Sequence, residues 1–191
     1  MIGWKRGRNK GKRWRELIKS CQHYGQTAIH NLYPLSIKDI DKCNLEQFDA
    51  WIILESAVFS ALEQLDSRRL PILFFNIPDG DPPTDSQMHK ILDFAQSYSK
   101  VLISCYGAHG RTGTVLAIYL HLKDPKPEDP ILRIRREYCE KAVETIEQAL
   151  FVYDFLNLEP DLNVLNSLKQ RWQFRPYSSE AILDDLDFYL Y

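Results

Sequence analysis

Apolar residues in this chain occur in short runs that alternate with helical patterns and with turns rich in proline. Runs of strand length lie at 49–54, 70–75 and 101–105, and a weaker alternating run covers 27–33, directly before Pro34. We interpret all four as β-strands. Because strands and helical patterns alternate along the chain, the sequence predicts an α/β fold, with a central, mostly parallel sheet of about four or five strands flanked by helices.

Helical periodicity fills most of the remaining chain. Ser36 is a suitable N-cap for a short helix to Lys42, and Thr84 or Asp85 can cap a longer one. Pro130 fits the first turn of a helix in which three arginines are expected to face mostly outward, Arg133, Arg135 and Arg136. Apolar spacing predicts further helices, at 56–65, 115–122, 142–151 and 162–168.

Composition is that of an ordinary soluble protein, with 45% hydrophobic and 26% charged residues among 191. A formal net charge of −2 excludes a general attraction to nucleic acid. The four cysteines are far apart and form no Cys-x2-Cys pair, so we expect neither a metal site nor disulfides, and no cofactor. A reduced, cytoplasmic setting is expected, without a signal peptide or membrane span.

Charge is distributed unevenly between the two ends. Residues 1–15 contain seven Lys or Arg and no acid, while the last sixteen residues contain four acids and no Lys or Arg. We therefore predict a basic N-terminal arm at 1–25, a central domain at 26–158, and a C-terminal extension with an acidic tail at 159–191. The arm either contacts RNA or another anionic surface, or is simply solvated.

The candidate chemistry lies in the loop between the 101–105 run and the next helix. Such a glycine-bearing loop, at a helix N-terminus, directs N–H groups at an anion such as phosphate. Cys105 opens the loop as a candidate nucleophile, and Arg111 can bind two phosphate oxygens through its planar guanidinium. The Thr112 hydroxyl can hydrogen-bond the sulfur. The residues expected to line the phosphate are Tyr106, Gly107, Ala108, His109, Gly110 and Arg111.

The pattern Cys-x5-Arg-Thr-Gly, placed between a strand and a helix, resembles the signature of the cysteine-dependent protein tyrosine and dual-specificity phosphatases. Ile77-Pro78-Asp79, followed by Pro82-Pro83, looks like the general-acid loop of small atypical dual-specificity phosphatases. The segment from Glu144 to Gln148 resembles a late helix of the family, whose glutamine positions the hydrolytic water. The resemblance covers about 32–155 and implies the family fold.

The resemblance also implies a two-step reaction without metal. The Cys105 thiolate attacks phosphorus while Arg111 and the loop N–H groups stabilise the transferring oxygens. Asp79 protonates the leaving oxygen and then activates the water that releases phosphate. Asp81 is a second acid in the same loop, and both aspartates are alternatively solvated turn residues.

Other assignments stay open at this stage. Gln148 either positions water or is an exposed helix residue, and the arginines after Pro130 either assist phosphate binding or form a solvated face. His109 either adds positive charge when protonated or faces solvent.

Two residues depart from the family pattern. Ser104 stands where the family has a histidine immediately before the nucleophile. Ala108 stands where the family usually has glycine, and a positive φ there costs on the order of 1 kcal/mol for alanine. The leading hypothesis is a phosphatase acting on phosphorylated protein. The alternatives are an RNA 5′-polyphosphatase of the same fold and a phosphate-binding module with weakened catalysis.

Overall fold

The computed structural model describes residues 21–59 and 70–173, with side chains described as far as residue 169. The basic stretch at 1–15 and the acidic tail therefore lie outside the described residues, as does most of the helix predicted at 56–65. No helix in the described ranges combines the length and the apolar character that a membrane crossing needs.

Four strands form one fully parallel sheet, in agreement with the predicted α/β fold. They are β1 (Leu32–Ser36), β2 (Ala50–Ile53), β3 (Ile72–Phe74) and β4 (Val101–Cys105). Their spatial order is β1-β4-β2-β3, so β4 lies between β1 and β2. Every residue of β2 and β4 is buried, as expected for central strands of a parallel sheet covered on both faces.

Side chains of β4 alternate between two hydrophobic clusters, one on each face of the sheet. Val101, Ile103 and Cys105 belong to the larger cluster, which the α-helices cover. Leu102 belongs to the smaller cluster on the opposite face, where Trp51 is also buried. The alternation places the Cys105 sulfur on the helical side of the sheet.

Pro34 lies inside β1, so the prediction that the first strand ends before this proline is wrong. β1 is a terminal strand of the sheet, and the Pro34 carbonyl accepts a hydrogen bond from Gly25 on the outer side. A residue's N–H and carbonyl point to the same side of a strand, so the N–H that proline lacks would also face outward. Pro34 therefore costs the β1–β4 ladder no hydrogen bond.

Five α-helices lie wholly within the described ranges: α1 (Asp85–Gln96), α2 (Gly110–Lys123), α3 (Pro130–Glu137), α4 (Ile146–Phe155) and α5 (Leu162–Gln173). Two short 3-10 helices, Ile37–Lys42 and Leu45–Gln47, connect β1 to β2. The helix predicted from Ala142 begins only at Ile146, because the Thr145 side chain caps it. Val164 and Leu168 of α5 are buried in the larger cluster, so the start of the predicted extension packs on the central domain.

The expectation that the arginines of α3 face mostly outward is wrong for Arg133. Its side chain is only 2% exposed and binds Glu137 and Asp124 at 3.0 and 2.6 Å. Arg135 donates to the carbonyls of Ala142 and Val143, both at 2.9 Å. Glu137 lies one turn further along α3, at the spacing of a helical ion pair. Helical periodicity could not reveal the other partners, because Asp124 lies before the helix and the two carbonyls lie after it. Both arginine side chains therefore hold α3 to its neighbours.

Gly113 marks a close contact between α2 and the segment before α4. A Cβ at this position would lie 2.8 Å from the Val143 nitrogen and 2.9 Å from the Ala142 Cα. Both neighbours are backbone atoms, so they cannot rotate away. We expect Gly113→Ala to lower the free energy of unfolding by about 1–3 kcal/mol, measured by urea denaturation. Alanine has a higher helix propensity than glycine, and this effect alone would raise the free energy of unfolding by up to about 1 kcal/mol. Such an increase would show that the two segments are not in close contact at Gly113.

Candidate active site

The candidate site lies at the edge of the sheet where the parallel strands end. Cys105 is the last residue of β4, and Glu55 follows the neighbouring β2. The loop at 76–84, called here the acid loop, follows β3 and leads into α1. In open α/β sheets this carboxyl edge is where ligands bind, and here it brings together residues that are distant in sequence.

Cys105 is buried beneath the start of α2, with its side chain 2% exposed. The Thr112 hydroxyl donates a hydrogen bond to the Cys105 sulfur at 3.1 Å. Thr112 is in the first turn of α2, whose N-terminus carries the positive end of the helix dipole. The sulfur therefore lies beside a hydroxyl donor and the N-terminal end of a helix.

Two carbonyl groups of the candidate phosphate loop, residues 105–112, accept hydrogen bonds from side chains outside the loop. Ser36 donates to the Tyr106 carbonyl at 2.9 Å, and the Tyr138 hydroxyl donates to the Ala108 carbonyl at 2.6 Å. In a planar trans peptide the N–H of the following residue points opposite to the carbonyl. The two N–H groups that follow are therefore directed away from Ser36 and Tyr138, as in loops that bind anions.

Ala108 adopts a φ of 56°, in the left-handed region that favours glycine. Its side chain is completely buried, so the conformation is held by packing and by the Tyr138 hydrogen bond. This conformation costs alanine on the order of 1 kcal/mol, and the packing and the hydrogen bond offset that cost. The loop thus adopts at Ala108 a conformation that glycine would adopt without this cost.

Ser104 faces the opposite side of the sheet from Cys105. Its hydroxyl accepts a hydrogen bond from the indole nitrogen of Trp51 at 2.7 Å, and both residues are buried. This contact fixes β4 to β2 one residue before the sulfur.

Arg111 is held by three acceptors around its guanidinium group. One terminal nitrogen donates to the Ile77 carbonyl at 2.8 Å. The other donates to Glu55 at 2.9 Å and to Asp79 at 3.1 Å. The arginine side chain is 5% exposed, so its charge is paired within the protein. The guanidinium thus connects α2 with the ends of β2 and β3.

Asp79 and Asp81 differ in what their side chains contact. The Asp79 carboxylate binds Arg111, although 90% of the Asp79 side chain is exposed. Asp81 is exposed, and its backbone N–H donates to the Pro78 carbonyl at 3.2 Å. Of these two carboxylates, Asp79 is the one in contact with the candidate phosphate loop, and its exposure leaves it accessible to a bound ester.

The start of α4 holds the acid loop in place. Thr145 donates to the Gly80 carbonyl at 2.7 Å, and Gln148 faces the Asp81 carbonyl at 3.4 Å. The Gln148 side-chain oxygen accepts from the Glu144 N–H at 2.8 Å. Gln148 is 1% exposed, so its interpretation as an exposed helix residue is wrong.

The Gln148 side chain also lies against the candidate phosphate loop. A Cβ added to Gly110 would come within 2.8 Å of the Gln148 amide nitrogen. The glutamine therefore lies between the phosphate loop and the acid loop. The role of Gln148 in positioning the hydrolytic water stays a prediction. A water molecule in that role would contact the same two loops.

His109 does not supply the positive charge considered from the sequence. Burial, followed by the nearby His23, lowers the pKa of the imidazole to about 4. The ring is therefore neutral at pH 7. Its Nε2 atom lies 3.1 Å from Nε2 of His23, outside the candidate phosphate loop.

Sequence reasoning missed Glu55 and Lys38. Glu55 is an acid two residues after the buried strand β2, a pattern that places it at the carboxyl edge next to β4. Lys38 lies with its amine 4.3 Å from the centre of the Tyr106 ring, which is 45% exposed. Its position depends on the 3-10 helix after β1, which sequence alone does not orient towards the loop.

The contact between Glu55 and Arg111 predicts that Glu55 positions the guanidinium, and Glu55→Gln tests this prediction. The amide keeps the shape of the side chain but removes the charge that pairs with the guanidinium. We expect kcat/KM for a phosphomonoester to fall about 10-fold, since small displacements of a catalytic group are costly. Glu147→Gln, an exposed change on α4, is the control and should leave the rate unchanged. Equal rates for both variants would contradict the assignment.

Comparison with known proteins agrees with this geometry. A family model described as PTP-SAK, Swiss Army Knife protein, DSP-PTPase phosphatase domain, matches residues 52–152. The uncharacterized protein MJ0215 of Methanocaldococcus jannaschii is 33% identical over 150 residues, which cover 75% of this chain and 93% of that protein. The chain therefore belongs to the PTP-SAK family of DSP-PTPase phosphatase domains.

Solved structures support the same fold. The crystal structure of Tk-PTP in the active form superposes on this chain with a TM-score of 0.51 and 26% sequence identity. The match covers 66% of this chain and 90% of the Tk-PTP chain. The catalytic core of the phosphatase SIW14 from S. cerevisiae has 12% identity and a TM-score of 0.52. That match covers 82% of this chain and 98% of the SIW14 core. The second likeness concerns the fold alone.

Proposed function

We propose that this phosphatase hydrolyses phosphomonoesters on proteins through a cysteinyl-phosphate intermediate at Cys105. The observation that carries the proposal is a convergence at one edge of the sheet. The Thr112 hydroxyl contacts the Cys105 sulfur, while the adjacent Arg111 binds Asp79. A nucleophile, an anion-binding cation and an exposed acid therefore occupy neighbouring positions.

In the first step the Cys105 thiolate attacks the phosphorus, and the bond from phosphorus to the leaving oxygen breaks. Arg111 exchanges its carboxylate contacts for two phosphate oxygens, which match the spacing of its planar guanidinium. Loop N–H groups stabilise the charge on the same oxygens. Asp79, once released from Arg111, takes up a proton from solvent and donates it to the leaving oxygen.

In the second step a water molecule attacks the phosphorus of the cysteinyl-phosphate. Asp79 accepts a proton from that water, the sulfur–phosphorus bond breaks, and inorganic phosphate leaves. The hydrogen bond from Thr112 stabilises the thiolate as it departs. Gln148, between the two loops, is the group proposed to orient the water.

The charge of the loop favours a single phosphate group as the substrate. Between Cys105 and Thr112 the sequence contains one permanently charged side chain, Arg111. His109 is neutral at pH 7, because burial lowers its pKa to about 4. A substrate with several adjacent phosphates needs more cations than this loop supplies.

A thiolate nucleophile also favours a reducing compartment such as the cytoplasm.

A substrate panel tests the assignment. The wild-type protein is assayed on p-nitrophenyl phosphate, a set of phosphotyrosine, phosphoserine and phosphothreonine peptides, a phosphoinositide, and triphosphorylated RNA. We expect the phosphopeptides to give the highest kcat/KM. Preference for triphosphorylated RNA would instead support a polyphosphatase that uses the basic segment at 1–15. If hydrolysis of every substrate stayed at the background rate, the protein would instead be a phosphate-binding module with weakened catalysis.

The acid role of Asp79 predicts a dependence on the leaving group. With Asp79→Asn, we expect kcat to fall about 100-fold on a phosphopeptide, whose alkoxide or phenoxide needs a proton. The loss should be much smaller on p-nitrophenyl phosphate, since nitrophenolate leaves without protonation. Asp81→Asn is the matched control in the same loop. If Asp81→Asn shows the leaving-group dependence and Asp79→Asn does not, Asp81 is the acid.

A further inference from the structure

Four side chains with metal-binding atoms meet beside the candidate phosphate loop. They are Cys21, His23, His109 and Cys139, and one ligand atom from each lies within 4.8 Å of all the others. They come from three separate parts of the chain: the segment before β1, the phosphate loop, and the segment between α3 and α4. Because the grouping forms only in the folded chain, no local sequence motif predicts it.

Two separations within this four-residue cluster are close to those of a tetrahedral metal site. The sulfur atoms of Cys21 and Cys139 are 3.6 Å apart, and the Nε2 atoms of His23 and His109 are 3.1 Å apart. Tetrahedral Zn²⁺ with ordinary bond lengths requires about 3.8 Å between sulfurs and about 3.3 Å between nitrogens. Each observed separation is close to the corresponding edge of that tetrahedron.

Groups outside the cluster contact both of its histidines. While Nε2 of His109 faces the cluster, its Nδ1 lies 3.8 Å from a carboxylate oxygen of Glu144. A carboxylate behind the second nitrogen of a ligating histidine is a frequent outer partner in zinc sites. His23 is held by its backbone, since its N–H donates to Asp39 and its carbonyl accepts from Ser36.

We propose that Cys21, His23, His109 and Cys139 form a structural zinc site that clamps the phosphate loop to the N-terminal segment. Two thiolates and two imidazoles are the ligand set of closed structural zinc sites. On binding, Zn²⁺ displaces the protons of the two thiols, which pass to solvent, and no electron is transferred. The site differs from the sequence-based expectation of no metal, which considered only closely spaced cysteine pairs.

The zinc ion fixes the phosphate loop through His109, two residues before Arg111. It also joins that loop to the segment at 138–145, which already contacts the loop through Tyr138. Binding to the folded state alone stabilises that state. The site therefore connects metal content to the thermal stability of the domain, and this inference does not depend on the proposed phosphatase reaction.

Metal content is the first test. The full chain, purified without chelator from zinc-supplemented medium, should contain one zinc per chain by inductively coupled plasma mass spectrometry. Cys21→Ser and His23→Ala should each reduce this to a small fraction. Cys43→Ser should keep the metal, because Cys43 lies outside the cluster. Cys105→Ser should also keep it, which separates this site from metal bound at the nucleophile.

Cobalt provides a readout that does not depend on variants folding. Apo wild-type protein titrated with Co²⁺ should develop thiolate-to-metal charge-transfer absorption and intense visible bands of tetrahedral geometry, saturating at one equivalent. Zinc should then displace the cobalt and abolish the bands. Removal of zinc by a chelator should lower the melting temperature of wild type but not that of Cys21→Ser.

Several outcomes would overturn the proposal. One is wild-type protein that lacks zinc and develops no tetrahedral cobalt spectrum. Another is a Cys21–Cys139 disulfide, found by non-reducing peptide mapping in protein prepared under a reducing atmosphere, which would assign the cluster to redox chemistry. Zinc lost from Cys105→Ser but retained by Cys21→Ser would place the ion at the nucleophile instead.

Discussion

Cys105→Ser removes phosphatase turnover while leaving the fold intact. We expect kcat on p-nitrophenyl phosphate to fall by about 10⁴-fold or more, because a serine hydroxyl is a far weaker nucleophile than a thiolate. Its alkoxide would also be a poor leaving group in the second step. The side chain is small and buried against Thr112, which can hydrogen-bond serine as well as cysteine. The melting temperature should therefore change little.

Cys43→Ser is the matched control for this variant. Burial raises the pKa of the Cys43 thiol to about 11, so this cysteine is protonated at neutral pH. It packs near Phe48 on the face of the sheet opposite the candidate site. We expect its kcat to equal that of wild type. Loss of activity in Cys43→Ser, or retained activity in Cys105→Ser, would remove the basis for Cys105 as the nucleophile.

Arg111→Lys has the second largest expected effect. Lysine keeps the positive charge but loses the planar pair of N–H groups that can bind two phosphate oxygens at once. It also cannot reproduce the arrangement in which one nitrogen binds Ile77 and the other binds Glu55 and Asp79. We expect kcat to fall about 10³-fold, since the guanidinium is needed most in the transition state.

The control for the arginine is Arg136→Lys on α3. Arg136 is 57% exposed and pairs with Glu128 and Glu137, away from the candidate site. Exposed ion pairs contribute little to stability, so this variant should match wild type in rate and melting temperature. If Arg111→Lys retains wild-type kcat and changes only KM, the guanidinium contributes uniform binding, and its proposed role in the transition state is wrong.

The centre of the fold could be predicted from sequence because its signals are local. The apolar run that ends at Cys105 predicted β4 with the bounds that the structure has. Thr84, one of the two caps proposed from sequence, marks where α1 begins. Each of these features depends on a few consecutive residues, and burial on both faces of the sheet reinforces the same local preference.

Predictions failed where a distant partner overrides a local rule. Pro34 is a strand breaker in isolation but is tolerated because β1 is a terminal strand whose outer side needs no proline N–H. From sequence, Arg133 is expected to face outward, yet its side chain is buried and pairs with the partly exposed carboxylates of Asp124 and Glu137. Neither the strand order nor the contact of Arg133 with Asp124, which lies before α3, is encoded in the local spacing of residues.

Long-range contacts also explain which candidate residues were missed. Glu55 precedes Arg111 by more than fifty positions, and its contact with the guanidinium depends on β2 lying next to β4. Cys21 and Cys139 are separated by most of the described chain, yet their sulfurs are 3.6 Å apart. Sequence spacing finds sites built on one loop, whereas sites assembled from several segments need coordinates.

The most direct test of the mechanism is to trap the covalent intermediate. Wild-type protein is mixed with a phosphopeptide substrate, quenched in acid within the first turnovers, digested, and mapped by mass spectrometry. The account predicts one phosphoryl group on the peptide that contains Cys105, and none on that peptide in Cys105→Ser. A wild-type enzyme that turns over rapidly but carries its phosphoryl group on another residue, or on none at any quench time, would contradict it.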